Sequence, residues 1–246
     1  MSAAEARLYR LGGAGPDLVF VHGFGADRFG WAANAPQFFG DASVWAVDLP
    51  GHGEAPDAVG DGSAATLAHA VVLRLAQLSG PAILVGHSLG GSVALEVARI
   101  APQLVRHLVL LAPAGMGDGI DRGFLSAFPE LADPAKAQEL LERLVERKRL
   151  IAPAMVQHVL TSLARQTRRA ALRQVAQALS EARPSTLPTG VSVQMVWGAA
   201  DQINPAPSTL PPGSLHLAGV GHMPHIEAAA KVNALIRAAL LAKREA

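Results

Sequence analysis

A serine lies between two glycines at the point where a predicted buried strand turns into a helix. The stretch is Val85-Gly86-His87-Ser88-Leu89-Gly90-Gly91, and the apolar run Ala82–Val85 leads into it. The two glycines on either side remove the Cβ atoms that would obstruct a tight turn, so the hydroxyl of Ser88 can stand clear of the backbone. After the motif, residues 92–100 predict a helix that ends before Pro102. The pattern therefore predicts a nucleophile on a strained strand-to-helix turn.

Short apolar runs alternate with helical segments along the chain. The runs cover residues 17–21, 43–47, 82–85, 105–111 and 191–197, with a shorter one at 214–217 and room for an edge strand around 6–10. Nearly continuous apolar runs of this length are typical of strands buried on both faces. The alternation predicts an α/β fold with a mostly parallel, doubly wound sheet. In such a sheet the active site lies at the carboxyl ends of the strands.

Residues 115–190 break the alternation, because they show helical periodicity and no convincing strand. Asp133 and Pro134 predict a helix start, and apolar residues recur after them at helical spacing. We expect these helices to form a lid, or cap, inserted before the strand that leads to Asp201, with residues 1–114 and 191–246 as the core domain. The alternative is that they are additional packing layers. Candidates for lining a pocket under the lid are Leu140, Leu144, Val156 and Leu160.

A catalytic serine needs a base to accept its proton and an acid to hold that base. Asp201 follows the run 191–197, and His222 follows the last short run, so the chain supplies Ser88, Asp201 and His222 in the order expected for a serine on this kind of turn. We predict these three as the catalytic residues. Rival candidates are Asp118 and Asp121 for the acid and His225 for the base.

An acyl-transfer site also needs two backbone N–H donors for the oxyanion. One is predicted at Leu89, the residue after the nucleophile. The other is predicted at Phe24 in His22-Gly23-Phe24-Gly25, where the glycines let the loop approach a substrate. We interpret His22 and His52 as structural side chains rather than catalysts.

Composition narrows the class of protein. The absence of cysteine excludes disulfides, thiolate metal sites and cysteine nucleophiles. The histidines lack metal-ligand spacing and no glycine-rich nucleotide-binding motif occurs, so no metal and no cofactor are expected. A net charge of +1 with 4% aromatic residues gives no nucleic-acid footprint. No signal peptide or membrane span is predicted, which points to the cytoplasm; a homo-oligomer is possible.

One region of the predicted lid is rich in basic residues, with only Glu146 as local compensation. Such a run is usually a solvated face, although attraction of an anionic substrate or an acidic partner is the alternative. The basic residues are Arg143, Arg147, Lys148, Arg149, Arg165, Arg168, Arg169 and Arg173.

The motifs together resemble those of the serine α/β-hydrolases. The resemblance rests on residues 22–25, 48–53, 86–91, 197–201 and 221–222, and it extends from about Leu8 to Leu241. It implies Ser88 as nucleophile, Asp201 as acid and His222 as base. Residues 112–117 and the helical insert are similar to the hydrolase-like portion of the dihydrolipoyl acyltransferase of acetoin dehydrogenase. They are also similar, less closely, to the carbon–carbon bond hydrolases of aromatic ring degradation.

These observations leave several functions open. The leading hypothesis is a cofactor-independent hydrolase that cleaves an ester, thioester or related acyl bond of a small molecule through an acyl-serine. An acyltransferase would use the same serine with a thiol or alcohol acceptor, and a carbon–carbon bond hydrolase would use it on another bond. A non-enzymatic binding module on the same scaffold is the last alternative, because fold does not determine function.

Overall fold

A computed structural model describes residues 3–182 and 185–242. Residues 1–2, 183–184 and 243–246 belong to the ranges predicted for the core and the lid, and they lie outside the described residues. The prediction of a mostly parallel α/β fold with helices inserted before the Asp201 strand is confirmed by the order of the elements.

The sheet has seven strands in the order β1-β3-β2-β4-β5-β6-β7. Only the edge strand β1 is antiparallel, where it pairs with β3; the other pairs are parallel. Every predicted apolar run is a strand, with ends that differ by at most a few residues. The strands are β1 Arg7–Gly12, β2 Asp17–Val21, β3 Ser43–Asp48, β4 Ala82–His87, β5 Val105–Leu111, β6 Ser192–Gly198 and β7 Leu215–Leu217.

Helices cover both faces of the sheet. They are α1 Ala64–Leu75, α2 Leu89–Ile100, α3 Arg122–Ala127, α4 Pro134–Glu142, α5 Pro153–Leu163, α6 Gln166–Ser180, α7 Pro224–Glu227 and α8 Ala229–Leu241. Successive side chains of a strand point to opposite faces, so β2 divides its apolar residues between two cores. Val19 and Val21 pack with α1 and α2, whereas Leu18 and Phe20 pack with α8. This explains why the strand sequences are apolar throughout rather than alternating.

Four α-helices, α3 to α6, lie between β5 and β6 and form a third apolar cluster with one another. The predicted start of α4 is confirmed, because the Asp133 carboxylate accepts a hydrogen bond of 2.9 Å from the Lys136 N–H and Pro134 is the first helical residue. The helix ends at Glu142, so Leu144 and Val145 follow it instead of continuing its apolar face.

Acidic side chains compensate most of the basic residues in this helical segment, so the expectation that Glu146 alone does so is wrong. Arg168 is buried and its Nε lies 2.6 Å from Asp57 of the core. Glu142 lies at the start of the basic region itself, whereas the other acids are distant in sequence from their partners, so local sequence could not reveal those pairs. The ion pairs are Arg143–Asp121, Arg147–Glu227, Lys148–Glu142, Arg165–Asp57, Arg168–Asp57 and Arg173–Glu130.

Candidate functional site

Ser88 lies on a sharp turn between β4 and α2, with φ 52° and ψ −115°. A positive φ is costly for a residue with a side chain, and such strain is found where the surrounding structure enforces it. Here the enforcing contact is close packing behind the turn: a Cβ on Gly90 would lie 2.2 Å from the Val21 carbonyl oxygen, and one on Gly86 would lie 2.5 Å from the Gly90 oxygen. The glycines of the motif are therefore required for the turn that presents the serine.

His222 and Asp201 form a buried pair. The His222 Nδ1 atom lies 2.7 Å from the Asp201 Oδ2 atom. The other carboxylate oxygen, Oδ1, accepts hydrogen bonds of 2.9 Å from the N–H groups of Ile203 and Asn204. These contacts hold the carboxylate in place, and the carboxylate fixes the proton of neutral His222 on Nδ1. The Nε2 atom is consequently the one left for proton transfer.

Ser88 and His222 line the same cavity. No hydrogen bond to the Ser88 hydroxyl is formed within residues 3–182 and 185–242. In sites without substrate such bonds are commonly long and shorten only in the reacting complex. The structure thus brings the three predicted catalytic residues to one place, at the carboxyl ends of β4, β6 and β7.

The predicted oxyanion donors lie at the same site. Leu89 is the first residue of α2, so no carbonyl of its own helix can accept its N–H. The Phe24 N–H has no hydrogen-bond partner in the described ranges, and Phe24 lines the cavity. His22 fixes this loop, because its Nε2 atom accepts a hydrogen bond of 3.0 Å from the Leu49 N–H and its Nδ1–H donates over 2.8 Å to the Gly23 carbonyl.

The rival candidates for the acid and the base have surroundings that differ from those of Asp201 and His222. Asp121 accepts a hydrogen bond of 2.9 Å from the Phe124 N–H at the start of α3 and also pairs with Arg143. Asp118 is exposed. His225 is buried, and burial lowers its pKa from 6.5 to about 3, which makes it a weak base.

The cavity is small and apolar, with a volume of about 60 Å³. Of the four pocket candidates Leu144 lines the cavity, whereas Leu140, Val156 and Leu160 pack within the third apolar cluster. The remaining apolar side chains of the wall are Phe24, Ala26, Trp31, Ile120, Phe124, Leu125, Leu179, Ile203 and Met223.

Two further histidines, His87 and His225, also line this cavity. The sequence marks His225 only as a rival candidate for the base and does not single out His87. His87 donates from Nε2 over 2.7 Å to the His222 carbonyl oxygen, and its ring centroid lies 4.6 Å from that of His225. Burial lowers the pKa of both side chains, that of His87 well below 6.5. Both are therefore neutral at pH 7.

Two further findings, on metal sites and on membrane-spanning helices, apply to the described residues. No three histidine, aspartate or glutamate side chains there are arranged to hold a metal ion. None of the helices in residues 3–182 and 185–242 combines the length and apolar character needed to cross a membrane.

Comparison with known proteins places this geometry in context. A family model described as "Alpha/beta hydrolase family" matches residues 18–235. The chain is 36% identical over 238 residues to the dihydrolipoyllysine-residue acetyltransferase component of the acetoin cleaving system of Pseudomonas putida. The aligned region covers 92% of this chain and 64% of that protein. The corresponding protein of Cupriavidus necator is 33% identical, and the alignment covers 95% of this chain and 66% of that protein. The chain thus spans slightly less than two thirds of the length of these relatives.

More distant similarities extend to esterases and other hydrolases. A pimeloyl-[acyl-carrier protein] methyl ester esterase of Methylococcus capsulatus is 43% identical over 99 residues, covering 40% of this chain and 37% of that protein. Among solved structures, a meta-cleavage product hydrolase of Pseudomonas fluorescens superposes with a TM-score of 0.81 at 18% identity, covering 96% of this chain and 94% of that one. A thermophilic esterase of Thermogutta terrifontis superposes with a TM-score of 0.75 at 23% identity, and the match covers 96% of this chain and 92% of that one. At these identities the structural matches bear on the fold alone.

Proposed function

The chain belongs to the alpha/beta hydrolase family, and from that premise we propose that it is a serine hydrolase cleaving an ester, thioester or related acyl bond of a small molecule. One observation carries the proposal. Ser88 lies on the strained turn at a cavity that His222 also lines, and His222 is held by Asp201 over 2.7 Å. This is the arrangement needed to activate a hydroxyl nucleophile.

In the first half of the reaction, the Ser88 oxygen attacks the acyl carbon while His222 Nε2 takes the hydroxyl proton. Negative charge develops on the carbonyl oxygen, and the N–H groups of Phe24 and Leu89 stabilise it. The carbon–oxygen or carbon–sulfur bond to the leaving group then breaks, and His222 returns the proton to that group. Asp201 stays ionised and stabilises the imidazolium. The product of this half-reaction is an acyl-serine.

In the second half, a water molecule attacks the acyl carbon and gives a proton to His222. Collapse of the intermediate breaks the bond to Ser88 and returns that proton to the serine oxygen. The balance is one water consumed, with one carboxylic acid and one alcohol or thiol released. No cofactor enters the scheme.

The substrate follows from the size of the cavity. An apolar cavity of about 150 Å³ holds benzene, whereas this one is about 60 Å³. We therefore propose a short acyl chain of about two to four carbons. We also propose that residues 115–190 act as a cap on the core of residues 1–114 and 191–246, because Phe124, Leu144 and Leu179 reach the cavity from that segment.

Labelling with a fluorophosphonate probe tests the serine. The probe should modify the wild-type protein at Ser88 and leave Ser88→Ala unmodified. Turnover of p-nitrophenyl acetate should fall by about 10⁶-fold in Ser88→Ala, because the nucleophile is lost. A folded Ser88→Ala variant with more than a tenth of wild-type activity would exclude the mechanism.

Acyl transfer is the second candidate, and it is favoured by the relatives from Pseudomonas putida and Cupriavidus necator, which are acetyltransferase components of the acetoin cleaving system. A transferase would pass the acyl group from Ser88 to a thiol in place of water. Acetyl thioesters incubated with and without dihydrolipoamide separate the two: a transferase forms acetyl-dihydrolipoamide faster than acetate, whereas a hydrolase releases acetate at a rate that the thiol does not change.

A further inference from the structure

His87 presents a hydrogen-bond acceptor to the cavity. Its Nε2 atom lies 2.7 Å from the carbonyl oxygen of His222, and a carbonyl can only accept. The proton of neutral His87 is therefore on Nε2, and Nδ1 carries a lone pair. This Nδ1 atom faces the predicted oxyanion loop, since a Cβ on Gly23 would lie 2.7 Å from it. It has no hydrogen-bond partner among the described residues.

His225 adds both a donor and an acceptor beside this lone pair. His225 is 2% exposed, and its ring contacts those of His87 and Trp31 in tilted arrangements, with centroid distances of 4.6 and 4.7 Å. All three rings line the cavity. Nδ1 of His225 is buried without a partner in the described structure. A neutral imidazole has one N–H and one lone pair, so His225 can donate from one nitrogen and accept at the other.

A buried polar atom without a partner, such as His225 Nδ1, is uncommon in protein interiors, where buried polar groups nearly always have partners. The other side chains of the wall are apolar except for Ser88, His22, His222 and the indole N–H of Trp31, which is also buried without a partner in the described structure. A purely apolar acyl chain would leave the nitrogens of His87 and His225 without a hydrogen bond. A carboxylate would also fit poorly, because no side chain lining the cavity is lysine or arginine and both histidines are neutral.

We propose that the wall formed by His87 and His225 is a subsite for a hydroxyl group on the short acyl chain. The hydroxyl donates to His87 Nδ1 and accepts from the N–H of His225, which satisfies both rings with one small neutral group. Since His87 Nδ1 lies beside Gly23 and Ser88, the hydroxyl belongs on the second or third carbon of the chain. This inference rests on the proposed acyl-bond hydrolysis and names its substrate class as short hydroxyacyl esters or thioesters.

Matched esters test the subsite in the wild-type protein. Phenyl butyrate, phenyl 2-hydroxybutyrate, phenyl 3-hydroxybutyrate and phenyl 3-fluorobutyrate share a leaving group, and fluorine withdraws electrons without donating a hydrogen bond. Each kcat/KM is divided by the rate constant for hydroxide-catalysed hydrolysis of the same ester. We expect the normalised kcat/KM of at least one hydroxy ester to exceed that of both butyrate and 3-fluorobutyrate by about 10- to 100-fold, because leaving a buried polar partner unpaired carries a free-energy penalty of that size. If these normalised kcat/KM values of the hydroxy esters lie within twofold of those of butyrate and 3-fluorobutyrate, the subsite proposal is wrong.

Two variants assign the preference to the residues. His225→Phe keeps an aromatic ring and removes both nitrogens, so the ratio of hydroxy ester to butyrate should fall to about one. His69→Gln, on the exposed side of α1, should keep the wild-type ratio. An unchanged ratio in folded His225→Phe would exclude His225 from the subsite.

A binding measurement separates this inference from the proposed hydrolysis. Calorimetric titration of Ser88→Ala with 3-hydroxybutyramide, 2-hydroxybutyramide and butyramide needs no turnover. At least one hydroxyamide should bind about tenfold more tightly than butyramide, and equal affinities would overturn the subsite whether or not esters are cleaved. Conversely, tight hydroxyamide binding without fluorophosphonate labelling of the wild type would reject the hydrolase and keep the subsite.

Discussion

The carboxylate of Glu227 accepts a hydrogen bond of 2.6 Å from the N–H of Gly221, the residue immediately before His222. Its other oxygen accepts from the N–H groups of Glu146 and Arg147, over 3.1 and 3.0 Å, in the segment after α4. The Glu227 side chain is fully buried, with Arg147 as its ion-pair partner at 3.7 Å. One carboxylate thus joins the loop that carries the predicted base to the helical segment above the cavity.

Glu227→Gln should loosen this connection. The carboxylate accepts at both oxygens, but an amide has only one oxygen, so its NH2 group would face an N–H donor. We expect a loss of about 1–3 kcal/mol in the free energy of unfolding, with a lower kcat because the His222 loop is less well held. Urea denaturation and ester kinetics measure both effects.

Glu146→Gln is the matched control for this change, because Glu146 is exposed and takes part through its backbone N–H. It should leave both quantities near wild type. Identical unfolding midpoints and kcat values for the two variants would show that the buried carboxylate does not position the loop.

Asp201→Asn should reduce kcat by about 10⁴-fold near neutral pH while the protein stays folded, because asparagine can favour the wrong imidazole tautomer of His222. The amide oxygen can still accept from the N–H groups of Ile203 and Asn204, so the loop should keep its form. Steady-state kinetics with circular dichroism tests this. Asp118→Asn and Asp121→Asn are the comparison variants, and a loss as large in either one would reassign the acid.

The sequence predicted features that depend on local pattern. Each strand was recognisable because burial on both faces makes a run such as Val105–Leu111 apolar throughout. The order of Ser88, Asp201 and His222 was recognisable because each follows such a strand. Chain order and strand ends were therefore enough to bring these residues to one edge of the sheet.

Features that depend on packing between distant segments were not predicted. Leu140 and Leu144 share one apolar face in the sequence, but α4 ends at Glu142, and only Leu144 reaches the cavity. Glu227 lies six residues after Gly221, and nothing in its local sequence indicates that it accepts hydrogen bonds from residues 146 and 147. Such contacts appear only once the helical segment is docked on the core.

Buried histidines should make the protein sensitive to acid. His22, His52, His87 and His225 all have a lowered pKa, chiefly because burial disfavours the charged form. For His225 the folded pKa is about 3 and the unfolded value is 6.5. The unfolded state therefore binds more protons as the pH falls below about 6.5, and stability present above that pH is lost progressively down to about 3.

The size of this loss can be measured between pH 7.5 and 5.0, above the range in which most carboxylates titrate. His225 alone should lower the free energy of unfolding by about 2 kcal/mol over that interval. Urea midpoints at the two pH values report it, and His225→Phe should show a smaller difference than the wild type. A stability that does not change over this interval would contradict the buried, neutral state of these side chains.

Enlarging the cavity should lengthen the acyl chain that the protein prefers. Phe124 and Leu144 reach the cavity from the helical segment, so Phe124→Ala or Leu144→Ala enlarges the cavity without changing the predicted catalytic residues. We expect KM for p-nitrophenyl hexanoate and octanoate to fall by about tenfold, since each buried CH2 contributes roughly 0.8 kcal/mol, while kcat for the acetate changes little.

Leu140→Ala is the matched control, because Leu140 packs in the third apolar cluster and does not line the cavity. It removes the same volume as Leu144→Ala and carries a similar risk to stability, so urea midpoints of all three variants are measured first. If Leu140→Ala shifts the chain-length profile as much as Leu144→Ala does, the profile reports general loosening of the helices and not the shape of the cavity. If none of the three shifts it, the acyl chain binds outside this cavity and the short-chain proposal is wrong.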